Sequence, residues 1–81
     1  MMGAAIVQVQ PEPARERIRD SRGVIVGVIE RQQLVGKLIA RDSRGVLVGI
    51  YDERSRATRD ARGRLLGQTN LLRALLFQSR R

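Results

Sequence analysis

The sequence predicts a mainly β protein: three or four consecutive β-hairpin repeats forming a small barrel-like antiparallel sheet, plus one C-terminal α-helix. Three observations predict it. The pattern Arg-Asp-x-Arg-Gly-x-x-x-Gly occurs three times, starting at Arg19, Arg41 and Arg59. The segments around the copies are short, and the first two outgoing ones are dense in β-branched residues. After the last copy, a leucine-rich stretch with helical spacing follows Asn70.

Taken in order, residues 1–13 read as an N-terminal strand or arm and a proline linker. Ala4 to Val9 is β-compatible, while Pro11 and Pro13 keep the linker extended and block continuous sheet pairing. Met1 to Val9 is apolar but has no basic start and is short for a signal peptide. A cytoplasmic location, or one within a phage or cellular assembly, is therefore expected.

Residues 14–69 read as the hairpin repeat domain. In each repeat an aspartate (Asp20, Asp42, Asp60) stands three residues before a glycine (Gly23, Gly45, Gly63). That spacing fits a type I turn whose last residue takes a positive φ, with the aspartate side chain capping the turn backbone. The incoming strands are expected over 15–20, 34–42 and 56–60, and the outgoing ones over 24–30, 46–52 and 64–69. Simple alternation puts Ile25, Gly27 and Ile29 on one face, with Leu47, Gly49, Tyr51 and Leu65, Gly67, Thr69 as their equivalents. That face is the expected common core, its glycines permitting close approach of another backbone. The opposite face would carry Val24, Val26 and Val28, then Val46, Val48 and Ile50, and in the third repeat Arg64, Leu66 and Gln68. Two repeats apolar on both sides need a cover on both sides. The aspartates are 22 and then 18 positions apart, and the extra length around 30–33, with Leu34-Val35-Gly36, suggests a degenerate additional turn.

Residues 70–81 read as the helix and a basic tail. Asn70 is a good N-cap, and Leu71, Leu72, Leu75 and Leu76 make one stripe. Arg80 and Arg81 suit the negative end of a helix dipole. The stripe is expected to dock on the sheet or on another subunit.

The Asp-x-x-Gly-x-x-x-Gly units, with the Ile50-Tyr51-Asp52 run, resemble short bacterial repeat proteins whose strands make a four-fold β-flower domain. The resemblance spans roughly 15–69. It implies a flower-like β repeat fold; its motif is structural and implies no catalytic residue.

Composition narrows the function. The chain has 81 residues, no cysteine and no histidine. Disulfides, thiol nucleophiles, most zinc sites and the usual general base are thereby removed. The three repeat aspartates share one environment, whereas a pair of acid and base carboxylates needs two. No cofactor, no metal site and no enzymatic activity are expected. No run reaches the ~20 apolar residues of a membrane span.

The formal charge is +8, from 16 basic residues, all but one arginine, against 8 acidic ones. Such a balance suits nucleic acid, an acidic protein or an anionic surface. Arg22, Arg44 and Arg62 occupy the same place in the three turns, and Arg19, Arg41 and Arg59 the place before each aspartate. Regularly spaced guanidinium groups suit phosphates. Only Tyr51 and Phe77 are aromatic, so base stacking is not expected. The expectation is a non-catalytic structural or interaction module, a homo-oligomer or a component of a larger bacterial or phage assembly. Val24, Val26, Val28, Val46, Val48 and Ile50, or the helix leucines, would supply the contact. The alternative is a basic nucleic-acid-binding protein that grips phosphates through the turn arginines.

Overall fold

A computed structural model of the chain describes residues 14–79. Expectations for 1–13, Arg80 and Arg81 lie outside them. Six antiparallel strands follow one another in a single sheet: β1 (Arg15–Arg19), β2 (Ile25–Gln32), β3 (Lys37–Asp42), β4 (Leu47–Asp52), β5 (Ala57–Asp60) and β6 (Leu65–Gly67). A 3-10 turn (Gln33–Val35) joins β2 to β3, and α1 (Leu72–Ser79) closes the chain. The antiparallel hairpin sheet with one C-terminal helix is as expected from the repeats. The sheet is open: spatial order equals chain order, so β1 and β6 are its edges. No helix among the described residues is long and apolar enough to cross a membrane.

The three repeat motifs make the β1–β2, β3–β4 and β5–β6 turns, which an up-and-down sheet places at one end. Each has the same backbone. The N–H of Gly23, Gly45 and Gly63 donates to the carbonyl of Asp20, Asp42 and Asp60, at 2.9 Å in each case. Gly45 has φ +87° with open space around it, so it is glycine for its conformation and not for room.

One residue further along each hairpin comes a feature that alternation alone misses. Ile18 pairs with Gly27 but Arg19 with Ile25, which leaves Val26 as an extra residue. The same shift leaves Val48 extra between Leu47 and Gly49, and Leu66 between Leu65 and Gly67. A bulge of this kind resets the alternation. The expected faces are corrected accordingly. Val26 joins the core at 4% exposure, and Val48 packs against it. Ile25, Leu47 and Leu65 register with Arg19, Arg41 and Arg59 on the other side. Val24 and Val46 stand exposed beside the turns.

The extra residues around 30–33 also resolve differently. Both connections at the far end are four residues long, 33–36 and 53–56. The additional length instead extends β2 and β3 by two residues each relative to β4 and β5. Gly36 (φ +66°) and Arg56 (φ +60°) close these two connections in the same left-handed conformation.

The core lies between the sheet and α1, which packs on β2, β3 and β4. Leu72 and Leu76 are fully buried against Ile18, Val26, Ile29, Leu38 and Ala40. The second glycine of each repeat makes room for this helix. A Cβ on Gly27 would stand 2.5 Å from both the Arg41 carbonyl oxygen and a Leu76 methyl. On Gly49 it would meet Leu75 at 2.6 Å, and on Gly67 Leu71 at 3.0 Å. From the helix it is the leucine side chains that these glycines admit, and not the second backbone expected from the sequence.

The helix start is latched. Asn70 Oδ1 accepts the Leu72 N–H at 3.0 Å, as an N-cap should. Thr58, buried at 0% exposure, donates its hydroxyl to the Thr69 carbonyl and accepts the Leu71 N–H at 3.1 Å. Nothing marks Thr58 in the sequence, because the partner segment is reached only through the fold.

Candidate interaction surfaces

Two surfaces remain once the helix has covered one face: the turn end and the opposite sheet face. At the turn end, each repeat aspartate serves its own turn. Asp20 Oδ1 accepts the Arg22 and Val24 N–H groups at 2.8 and 3.0 Å. Asp42 accepts those of Arg44 and Val46, and Asp60 those of Arg62 and Arg64, all at 2.9 Å. The hydrogen bond from the Val46 backbone, aided by that from Arg44 and by its guanidinium charge, holds the Asp42 carboxyl below the usual aspartate range, against a smaller upward push from desolvation. The Asp60 carboxyl is lowered in the same way, first by the Arg64 backbone and then by Arg62, against the same desolvation.

The predicted arginines divide into two kinds. Arg19, Arg41 and Arg59 each donate Nη1 to the carbonyl of their own turn glycine, at 2.8, 3.3 and 3.0 Å. They are thereby held at the turn rather than free to sweep. Arg22 and Arg44 stand 3.6 and 3.8 Å from Asp20 and Asp42, yet their side chains are 77% and 81% exposed. Arg62 occupies the same turn position and is also exposed. All six therefore collect along one end of the sheet.

The opposite sheet face carries an aliphatic patch. Ile39 pairs directly with Ile50, and Val28 lies on the neighbouring strand two positions along. Ile39 is buried at 9% exposure, while Val28 and Ile50 are partly exposed. Around them the register places Arg15, Arg17, Arg41, Arg59 and Lys37. Glu30 is bridged on this face by Arg15 at 3.2 Å and Arg41 at 3.4 Å. Of the residues expected to form a contact surface, only Val28 and Ile50 lie here. Val26 and Val48 are on the helix side, and Leu71, Leu72, Leu75 and Leu76 are turned onto the sheet. Ile39 was not among the expected contact residues. Its place on this face comes from its pairing with Ile50, which the incoming strand alone does not encode.

Among the described residues, no group of three or more His, Cys, Asp or Glu side chains is placed to hold a metal ion. Tyr51 packs on the helix side of the sheet, and Phe77 lies in α1 with its side chain exposed. No protein-family model, no curated protein and no solved structure matches the chain.

Proposed function

We propose that the chain is a non-catalytic structural or interaction module that self-associates through the open face of its sheet, as one component of a larger assembly. The observation that carries this reading is the Val28–Ile39–Ile50 cluster, buried at Ile39 and partly exposed at Val28 and Ile50, on the sheet face away from α1. A sheet with apolar groups on both faces is stable when each face meets a second layer. α1 supplies one layer, and a second copy supplies the other. The arginines border the patch, where their methylene stems extend the apolar surface while their charged heads stay in water. A two-fold arrangement lets one patch serve as its own complement.

Sedimentation velocity tests the reading. The chain is expected to show a mass above its 9.1 kDa monomer, rising with concentration. Ile50→Glu is expected to return it to a monomer with an unchanged circular dichroism spectrum. A wild-type chain that stays monomeric across the whole concentration range refutes self-association through this face.

A further inference from the structure

The turn end carries a second surface, which shares Arg41 and Arg59 with the border of the open face. We infer that it is a binding site for the phosphate backbone of nucleic acid. The register gives its geometry. Asp42 pairs with Gly27, and Asp60 pairs with Gly49. The first turn begins at Asp20, two positions beyond Ile18, which itself pairs with Gly27. Each turn therefore sits two strands across and two residues back from the one before. At about 4.8 Å between strands and about 3.4 Å per residue, successive turns stand about 12 Å apart. The three span about 24 Å, the length of about seven phosphate steps along one strand of a duplex.

Every step of this staircase presents the same chemistry. One arginine is tethered by Nη1 to a glycine carbonyl, which leaves its Nη2 for a ligand; in the middle step Arg41 also gives its Nε to Glu30 at 3.4 Å. A second arginine projects beside it. The negative charges lie beneath: the Asp20 and Asp42 side chains are only 5% and 11% exposed, and one oxygen of each already accepts two backbone N–H groups. The outer surface is therefore guanidinium, the group that meets phosphate through paired hydrogen bonds. A fixed comb of cations suits an anion whose charges are also regularly spaced. Contacts of this kind go to the backbone, so binding follows the phosphates and not the sequence.

Fluorescence anisotropy with mixed-sequence duplex DNA and duplex RNA decides the matter. Six phosphate contacts predict that affinity falls by about three orders of magnitude between about 50 and 200 mM salt. The triple variant Arg22→Gln, Arg44→Gln, Arg62→Gln is expected to bind more weakly and to lose only about 40-fold over the same range, as three contacts would. A charge-matched triple, Arg54→Gln, Arg56→Gln, Arg73→Gln, is expected to keep the wild-type salt dependence. The site is overturned by equal flattening in both triples, which would mark net charge alone, or by no binding at the lower salt. Neither result bears on the open sheet face, because a monomer carries the complete turn end.

Discussion

The two faces of the sheet are made by the same strands and differ in almost every property. On the helix side, glycines and an alanine alternate with large aliphatic groups, and the leucines of α1 descend to the backbone. On the other side, aliphatic groups alternate with arginines, and nothing in the described chain lies over them. The difference teaches where the energy of this small domain resides. One face is a closed core that sets stability. The other is a surface whose cost and benefit depend on what it meets.

The contrast is sharpest for single truncations. Leu76→Ala is expected to cost about 4 kcal/mol, because a fully buried leucine leaves a cavity under the helix. Val28→Ala, on the open face, is expected to cost about 1 kcal/mol or less at low protein concentration. Urea unfolding of the two variants measures both; equal losses would erase the distinction between the faces.

The glycines allow a finer test within the closed face. Gly27→Ala is expected to destabilise by about 3 kcal/mol, since the added methyl meets a backbone oxygen that cannot swing away. Gly67→Ala is expected to cost below about 1 kcal/mol, because only the flexible end of Leu71 must give. Gly49→Ala should fall between them. Thermal unfolding of the three ranks them, and a flat series would assign the glycines to the strands and not to the approach of the helix.

Next in size is the latch. Thr58→Val removes the hydroxyl from between the Thr69 carbonyl and the Leu71 N–H, at a cost of about 2 kcal/mol. Thr58→Ser should restore most of it. Hydrogen exchange at Leu71 and Leu72 would report the loosened helix start directly, and unchanged protection there would refute the latch.

The smallest effect is in acid and belongs to the turns that join the faces. Asp42 and Asp60 have folded-state pKa values below the ordinary aspartate value. Their stabilising contribution is complete above that value and is lost as the pH falls through the lower folded value, below about pH 4. The double variant Asp42→Asn, Asp60→Asn should therefore show a flatter loss of stability below that pH. A steepened profile would contradict the assigned direction.

How much of this is legible in the sequence follows from range. The turns are local, and Asp20 to Gly23 carries the whole signal for its own geometry. The helix is equally local, with Asn70 and the leucine stripe. The leucine stripe and the glycine of each repeat both mark docking faces in the sequence, and the fold supplies which leucine meets which glycine. The faces were misread at Val26 and Val48 because the bulge is set by pairing with the incoming strand, which an outgoing strand does not encode alone. The same reason hides Ile39 and Thr58. Their neighbours are distant in sequence, and their roles come from register.

The stagger of two residues between hairpins has a further consequence. It acts as a translation operator: the same small shift carries the first hairpin onto the second and the second onto the third. Structures generated this way have no preferred length. Such a chain lengthens by copying one unit, each copy adding one step of fixed size and fixed charge, so that the number of repeats works as a ruler. In this protein Gly67 is the residue opposite which the operator would place the aspartate of a fourth unit, and the chain runs on from there through Asn70 into α1 instead. After three copies the chain leaves the ruler and folds back as α1 over β2, β3 and β4.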